Sequence, residues 1–264
     1  MEEGQNLHPK IHCLTNPVSM RDTANVLLAA GGSGIMAQDP AEVEEVTSFC
    51  QAVLLNTGVP DERKFEACKL AGIRANALER PVVLDPVGVG ASDFRRSRVR
   101  SLLEQIEVSI IRCNQEEACV LLQCLTGDEE LSQKVLQKNR GGVESAVCLE
   151  ETELEGLACC LGKACRCTVL ISGREDVISD GNRIEIIPGG DRRMRRITGS
   201  GCMLSALCAL FCGYGREAYE AAREASVLWK ESARRAGIKA DCGGKGIGSF
   251  HNYLLDAVEE LCST

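Results

Sequence analysis

Small residues lie directly before a long apolar run in the segment RRITGSGCMLSALCALF, residues 195–211. The run after Gly201 is apolar on every side, which predicts a helix that is buried on all its faces. Backbone amides that no side chain covers, at the positive end of such a helix, can bind an anion such as a transferring phosphoryl group. We therefore predict an anion hole over residues 199–202. The alternative is structural, because glycine also permits close packing of a helix on a strand.

A carboxylate follows the apolar strand in the segment LDPVGVGAS. Pro86 ends the strand, and Gly88 and Gly90 allow the backbone to turn sharply, so Asp85 is left at the edge of the sheet. Ligands of open α/β sheets bind at the carboxyl ends of the strands. Asp85 is therefore a candidate ligand-facing residue, and the alternative is a residue that only caps the turn.

Two further strand ends carry polar groups. Arg112, in IIRCNQEE, can donate paired hydrogen bonds to phosphate oxygens, while Asn114 and Glu117 are three residues apart on the first turn of the next helix. That spacing suits the water shell of a magnesium ion, or alternatively a capping box that satisfies free backbone amides. Ser172 ends a third strand, in ISGRED, beside either a nucleotide pocket or an ordinary turn.

Strand and helix periodicities alternate along most of the chain, which predicts a mostly parallel central sheet with helices on both faces. The pattern VISDGNRIEII, turning at Asp180 and Gly181, predicts an antiparallel hairpin at one edge. The 264 residues suffice for one large α/β domain, and no linker divides residues 1–264. The predicted strands are 10–15, 33–37, 52–56, 81–85, 108–114 and 167–173. The predicted helices run from Asn16 and Pro17 to Gly31, from Asp39 and Pro40 to Phe49, from Asp61 to Leu78, from Asn114 onward, and over 201–211, 218–236 and 249–262.

The formal net charge of −8 and the sequence pI near 5.1 disfavour binding of nucleic acid. We interpret the cluster RRMRR, residues 192–196, as a solvated hairpin arm that leads to the anion hole. The first ten residues lack the pattern of a secretory signal, and no apolar run approaches the ~20 residues that span a bilayer. We therefore expect a cytoplasmic protein without a membrane partner.

Sixteen cysteines are scattered over the chain, and we expect them to be reduced thiols that mostly fill the core. The one dense group, CCLGKACRC at 159–167, has no C-x-x-C pair and no nearby histidine, which disfavours a zinc site. A Walker A loop, G-x-x-x-x-G-K-[ST], is absent from the sequence. A kinase with this sequence is therefore not a P-loop kinase.

Six segments together resemble the hydroxyethylthiazole kinases, a family of the ribokinase-like superfamily. They are IHCLTNPVSMRDTANVLLAAGGSGIMA, LDPVGVGAS, IIRCNQEE, ISGREDVISDG, RITGSGCMLSA and GIGSFHNYLLDA, and they occur in the family's order and spacing over nearly the whole chain. The resemblance implies a ribokinase-like fold. It also implies phosphorylation of the primary alcohol of 4-methyl-5-(2-hydroxyethyl)thiazole in thiamine synthesis, with ATP as co-substrate and Mg²⁺ as cofactor.

The resemblance also assigns residues to the two substrates and the metal. It implies that ATP is contacted by Arg112 and Ser172, that magnesium is held by Asp85 and Glu117, and that the thiazole is contacted by Asn16, Val18, Met36 and Gly199. Members of the family are trimers with the thiazole pocket between subunits. We therefore expect a homotrimer in which the segments TNPVS and TGSGC meet across the interface.

The resemblance places Cys202 where related sugar kinases have the aspartate that accepts the alcohol proton, and this family has cysteine there. A helix N-terminus lowers the pKa of a thiol, so the position allows a thiolate without establishing one. The implied catalytic groups are Cys202, Asp85 and the amides around Gly201. Charge stabilisation by magnesium, Arg112 and these amides is expected to outweigh base catalysis by the cysteine.

Two residues depart from the family pattern. Cys113 replaces the glycine of R-G-N beside the ATP contact, and Ile247 replaces the proline of GPGSF. Alternative functions are phosphorylation of another small alcohol, such as a pyrimidine alcohol, by a ribokinase-like enzyme, and binding of nucleotide or thiazole by a regulator without turnover. A cysteine-based redox or metal protein is a third class.

Overall fold

The computed structural model describes residues 8–127 and 149–263. These residues form a sheet of eight strands in the order β2-β1-β3-β4-β5-β6-β7-β8. Strands β1 to β6 are parallel, and β7 and β8 are antiparallel additions at one edge. The bounds are β1 Lys10–Leu14, β2 Ser33–Ile35, β3 Ala52–Asn56, β4 Val82–Asp85, β5 Ile110–Asn114, β6 Thr168–Ser172, β7 Asp176–Ser179 and β8 Ile184–Ile187.

Helices cover both faces of the sheet. Within the described residues they are α1 Met20–Ala29, α2 Val43–Phe49, α3 Glu62–Ala77, α4 Asp93–Leu103, α5 Gln115–Thr126, α6 Glu151–Cys165, α7 Ser200–Gly213, α8 Ala218–Cys242 and α9 Ile247–Cys262. Helices α2 to α6 pack on one face, and α1 packs with α7, α8 and α9 on the other. None of these helices is long and apolar enough to cross a membrane.

The strands are buried on both faces, so alternate residues supply two separate cores. In β3, Val53 and Leu55 face the layer of α2 to α6, while Ala52 and Leu54 face the layer of α1 and α7 to α9. This alternation explains why AVLLN is a continuous apolar run, because both sides of a covered parallel strand must be apolar. The predicted fold class, a mostly parallel sheet covered on both faces with an antiparallel edge hairpin, is confirmed.

Side-chain caps and glycines fix several predicted boundaries. The Asp61 carboxylate accepts a hydrogen bond from the amide of Lys64 at 2.7 Å, and α3 begins at the residue after this cap. Gly181 has a φ of +91° in the turn between β7 and β8. The hairpin turn therefore lies at the predicted residues. Glycine adopts this backbone conformation without strain.

Helix α1 begins later than the sequence predicts. Asn16 Oδ1 accepts hydrogen bonds from the amides of Val18 at 3.0 Å and Ser19 at 3.2 Å, which forms a separate turn ahead of the helix. The helix then begins at Met20. Asn16 caps a turn in the chain, and its placement at the start of α1 is wrong by one helical turn.

Helix α2 is also shorter than predicted. It begins at Val43 because Asp39 Oδ1 accepts a hydrogen bond from the amide of Ala41 and closes a local turn. Strand β2 ends at Ile35, two residues before the predicted end, and α8 continues to Cys242. Helices α4 and α6 were not predicted from the sequence.

Candidate functional site

Candidate functional groups gather at the carboxyl edge of the parallel strands. The strand register places Asn56 of β3 beside Asp85 of β4, and Asn114 of β5 beside Ser172 of β6. Helix α7 packs against β3, β4 and β5. Its N-terminus therefore brings residues 199–202 to the edge at which ligands of parallel sheets bind.

Asp85 is fully buried and has one engaged and one free oxygen. Its Oδ2 accepts hydrogen bonds from Ser205 Oγ at 2.8 Å and from Asn56 Nδ2 at 3.0 Å. Its Oδ1 has no hydrogen-bond partner and lies 3.8 Å from Arg112 Nη1. Burial raises the pKa of the Asp85 carboxyl to about 6; the charge of Arg112 opposes this shift and that of Glu117 adds to it. Asp85 is therefore mostly ionised at neutral pH, with one oxygen available to a ligand.

Arg112 lies over Gly201 at the first turn of α7. A Cβ at position 201 would fall 2.1 Å from Arg112 Nη1 and 2.6 Å from its Cζ, so glycine leaves the room that the guanidinium occupies. Arg112 Nη2 donates a hydrogen bond to Ser172 Oγ, which brings the two predicted ATP contacts together. The structural and the anion-binding interpretations of the glycine-rich segment both have a physical basis here. Gly201 allows a neighbour to pack closely, and that neighbour is a cation beside a helix N-terminus.

Gly199 is the N-cap of α7, and both its backbone conformation and a close neighbour favour glycine at this position. Its φ is +80°, and a Cβ there would lie 2.9 Å from Ser19 Cβ. A positive φ favours glycine because other residues are strained in that region. The same contact brings the chain around Ser19, which follows β1, against the start of α7.

Cys202 is buried directly behind this N-cap. Burial raises the pKa of its thiol, and the charge of Asp85 raises it further. These two effects oppose the lowering that a helix N-terminus produces, so a thiolate at Cys202 stays a prediction.

Two amide side chains connect the end of β1 to Cys202. Asn16 Nδ2 donates to Asn56 Oδ1 at 3.0 Å and lies 3.6 Å from Cys202 Sγ. Asn56 Nδ2 lies 3.1 Å from the same sulfur. The segments TNPVS and TGSGC therefore meet within one chain. Strand β1 pairs directly with β3, and both strands end beside α7. A contact of the same two segments across a subunit interface stays a prediction.

Glu117 forms the capping box that its spacing from Asn114 allowed. Its Oε2 accepts a hydrogen bond from the amide of Asn114 at 2.9 Å, and Asn114 Oδ1 accepts one from the amide of Glu117 at 2.8 Å. Glu117 Oε1 accepts from the amide of Gly88 at 2.8 Å, so the residue also fixes the turn after β4. Both of its oxygens are engaged, and a metal-binding role for Glu117 stays a prediction.

A cavity of about 1110 Å³ opens at this edge. Its lining includes Arg112, Glu117, Ser172 and residues 199–202. The predicted nucleotide contacts and the predicted anion hole therefore lie on one surface. A volume of this order accommodates a ligand of nucleotide size.

The predicted thiazole contacts do not all line the cavity that contains the predicted nucleotide contacts. Val18 is 61% exposed, Met36 is half-buried against the layer of α1 and α7, and Asn16 is buried beside Cys202. None of these three predicted contacts lines the cavity that contains Arg112. Gly199 does line it, and the contact of all four residues with a thiazole stays a prediction.

Two other sequence features lie outside the cluster around Asp85. Arg192–Arg196 forms a short 3₁₀ helix, in which Arg193 is held by ion pairs with Asp191 and Asp241, so the segment is not a fully solvated arm. In the cysteine-rich segment, a hydrogen bond with Cys167 lowers the pKa of the Cys165 thiol. The part of the chain that the structure describes contains no group of three or more His, Cys, Asp or Glu residues able to hold a metal ion.

Asn56 and Ser205 belong to the site and were missed by the sequence analysis. Asn56 is the polar last residue of the apolar strand β3, the same signal that identified Asp85 at the end of β4. Ser205 is a hydroxyl within a buried helix, and it donates to Asp85. A buried hydroxyl in an apolar helix requires a hydrogen-bond partner, so the signal was present in the sequence.

Comparisons with known proteins cover the whole chain. A family model described as the hydroxyethylthiazole kinase family matches residues 1–264. A hydroxyethylthiazole kinase from Clostridium beijerinckii is 38% identical, with 100% of this chain and 91% of that protein covered. Another from Listeria welshimeri is also 38% identical, with 98% and 90% covered.

Solved structures agree with these sequence relatives. The structure of a hydroxyethylthiazole kinase protein from Pyrococcus horikoshii matches with a TM-score of 0.84 and 31% identity, covering 97% of this chain and 89% of that one. A ribokinase-like superfamily protein from Enterococcus faecalis shares the fold with a TM-score of 0.65 at 11% identity, covering 96% of this chain and 86% of that one. The predicted ribokinase-like fold is confirmed. On its sequence and its structure, the chain belongs to the hydroxyethylthiazole kinase family.

Proposed function

We propose that this protein transfers the γ-phosphoryl group of ATP to the primary alcohol of 4-methyl-5-(2-hydroxyethyl)thiazole, as a Mg²⁺-dependent step of thiamine synthesis or salvage. Family membership supports the reaction class. The observation that carries the proposal is the convergence of Arg112 and the N-terminus of α7 on one cavity, with Asp85 Oδ1 3.8 Å from the guanidinium. Residues 1–264 would act together as one kinase domain.

The nucleotide side consists of donors that suit a phosphate chain. Phosphoryl transfer requires a protein mainly to align two oxygens and to stabilise charge on the moving group. The guanidinium of Arg112 supplies charged N–H donors, and the first amides of α7 add positive potential beside it. Ser172 orients the guanidinium through its hydrogen bond. In this proposal these groups bind and orient the phosphates of ATP within the cavity.

The acidic residues suit a magnesium ion. Mg²⁺ prefers oxygen ligands and keeps several of its waters. Asp85 Oδ1 is buried and has no hydrogen-bond partner, so it is the oxygen that fits the ion or one of its waters. Glu117 has both oxygens on backbone amides and keeps lone pairs for a contact through water. When bound, the ion supplies charge neutralisation at the phosphate oxygens.

The acceptor side centres on Cys202. Amide groups of Asn16 and Asn56 fix the position of the thiol. Because burial raises the pKa of this thiol, it contacts the alcohol as a neutral group in this proposal. A loose transition state needs little early deprotonation of the alcohol, so charge stabilisation supplies most of the acceleration. Val18, Met36 and Gly199 border the thiazole ring.

The test is ATP consumption with Mg²⁺ against a panel of hydroxyethyl heterocycles and a pyrimidine alcohol, with the product identified by mass spectrometry. We expect the phosphate monoester of the thiazole alcohol, formed only when the metal is present. Preference for the pyrimidine alcohol would assign the chain to another small-alcohol reaction. Tight binding of ATP or thiazole without any product would instead support a regulator.

Assembly and location are part of the same proposal. We infer a homotrimer from the resemblance to the family, and light scattering coupled to gel filtration measures its mass. We also infer a cytoplasmic location, because the reaction consumes ATP, and fractionation of cells tests it. A monomer in solution would contradict the first inference without affecting the chemistry proposed for a single chain.

A further inference from the structure

Two buried lysines lie beside the site and have no role in the chemistry proposed above. Lys64 in α3 is 8% exposed, and Lys230 in α8 is 5% exposed. Lysine is rarely buried, because removal of an ammonium from water costs free energy. A buried lysine therefore needs compensating contacts, and those contacts identify the part of the chain that it holds.

Lys230 holds the turn between β6 and β7. Its Nζ donates to the carbonyl oxygens of Gly173 and Arg174, both at 2.9 Å, and lies 3.0 Å from Asp176 Oδ1. An ammonium has three donors, so these contacts use all of them. The amide of Gly173 also donates to Asp176 Oδ1, at 3.0 Å. The turn directly after Ser172, a predicted ATP contact, is thereby tied to α8.

Lys64 holds two loops on the other side of the site. Its Nζ donates to the carbonyl oxygen of Thr15 at 2.8 Å and to that of Gly58 at 2.9 Å. Thr15 precedes Asn16, and the amide of Gly58 donates to Asn56 Oδ1 at 3.0 Å. Burial lowers the pKa of Lys64, as expected for an ammonium with little access to water. One loop carries Asn16 and the other directly follows Asn56, and the amide side chains of these two residues contact the thiol at the start of α7.

We propose that Lys230 and Lys64 are positioning residues, one for each substrate of the transfer reaction. Lys230 sets the turn beside the nucleotide cavity and so determines affinity for the nucleotide. Lys64 sets the loop that carries Asn16 and the loop that follows Asn56, and so determines affinity for the alcohol. The identity of the two ligands rests on the proposed function, whereas the assignment of each lysine to one side rests on its contacts.

The separation of the two effects follows from the geometry. Lys230 lines the cavity that contains Arg112 and Ser172, and Lys64 does not. Buried carbonyl groups that lose their donor must find another partner, so the short loops shift toward water. That shift displaces the neighbouring ligand contact and leaves the loops of the other substrate in place. If a lysine had only a structural role, its replacement would lower the stability of the protein and leave both affinities unchanged.

The test measures both affinities in Lys230→Met and Lys64→Met, which keep a long side chain and remove the donors. ADP binding is followed through the fluorescence of Trp229, the only tryptophan, which lines the cavity. Acceptor binding is followed by calorimetry with 4-methyl-5-(2-hydroxyethyl)thiazole. For Lys230→Met we expect the Kd for ADP to rise about tenfold or more and the Kd for the thiazole to change less than about twofold. For Lys64→Met we expect the reverse.

Exposed lysines on the same two helices are matched controls. Lys239 in α8 has a side chain that is 52% exposed, and Lys69 in α3 is also exposed. We expect Lys239→Met and Lys69→Met to leave both Kd values unchanged. Lys230→Gln and Lys64→Gln are the second variants, because an amide can donate to both carbonyls through its two N–H groups but carries no charge. They should show the same pattern with smaller changes, and they replace the Met variants if thermal unfolding shows that those do not fold.

An equal change of both Kd values in either variant would overturn the proposal. So would a lower Tm with both Kd values unchanged. A wild-type protein that binds ADP but phosphorylates none of the alcohols would contradict the proposed function alone. The ADP comparison for Lys230 needs no turnover, so its outcome is distinguishable from a failure of the proposed reaction.

Discussion

Replacement of Gly201 by alanine tests the arrangement of the site directly. The added Cβ would fall 2.1 Å from Arg112 Nη1. Nonbonded heavy atoms pack at about 3.5 Å, so the guanidinium must move by roughly 1.4 Å. That movement breaks the hydrogen bond to Ser172 and changes the distance to Asp85, which is now 3.8 Å. The helix itself tolerates the change, because alanine is a better helix former than glycine.

The expected size of the effect follows from the role proposed for Arg112. Removal of one preorganised donor from a charged transition state costs about 10²- to 10³-fold in kcat. We therefore expect kcat/KM to fall about 100-fold in Gly201→Ala. The gain in helix propensity of up to about 1 kcal/mol is opposed by the displacement of a buried guanidinium, so we expect the free energy of unfolding to change by less than about 2 kcal/mol.

Steady-state kinetics and urea unfolding measure the two expectations separately. Gly156→Ala in α6 is a matched control, because a Cβ there meets nothing within 4 Å. It should gain stability from the same change of residue type and keep wild-type activity. A folded Gly201→Ala protein with wild-type kcat/KM would refute the role proposed for Arg112, because the position of its guanidinium over this glycine would then not matter for catalysis.

Three further tests concern Cys202, Asp85, and the contact between Asn16 and the segment that contains Gly199. Cys202→Ala should reduce single-turnover rates less than Asp85→Asn, because charge stabilisation outweighs a neutral thiol; the opposite order would exchange the two roles. In the metal-free protein the pKa of Asp85 is about 6 rather than 3.8, so the native state binds this proton more tightly than the unfolded chain, and the resulting stabilisation is lost as the pH rises. In urea unfolding, the stability of wild type relative to Asp85→Asn should therefore fall by about 1.4 kcal/mol per pH unit between those two values, and a flat difference would contradict the shift. Co-expressed Asn16→Trp and Gly199→Val chains should form inactive oligomers, because each chain carries a defect in its own site; recovery of about a quarter of the activity would support a shared pocket instead.

The ends of strands were the most informative part of the sequence. Asp85, Arg112 and Ser172 were identified because each is a polar residue at or near the end of an apolar strand, and a parallel sheet brings such ends to one edge. The capping box was also predictable, since it depends only on residues three apart. The same rule, applied to AVLLN, identifies Asn56.

Other features depend on tertiary distances that a sequence does not contain. The hydrogen bonds of Asn16 delay the start of α1, and nothing in the local pattern distinguishes a turn cap from a helix cap. The raised pKa of Cys202 depends first on burial, which the sequence around this residue does not reveal. Lys64 and Lys230 stand among other charged helix residues, and only their contacts with loop carbonyls separate them from exposed lysines.

The charges at the edge of the sheet explain why the nucleotide and the metal are expected together. Asp85 lies near the guanidinium of Arg112, and the charges of Arg112 and Glu117 both act on its carboxyl. The three side chains comprise two acidic groups and one basic group. A phosphate chain is attracted by Arg112 and by the amides of α7, but it must also approach the two carboxylates. A divalent cation reverses the sign of the cluster and removes this repulsion. The raised pKa of Asp85 reflects the same imbalance together with burial, because without a metal the proton is the cation that this carboxylate takes up. In the proposed function the proton and Mg²⁺ therefore compete for Asp85, and binding of the ion would keep the carboxylate ionised.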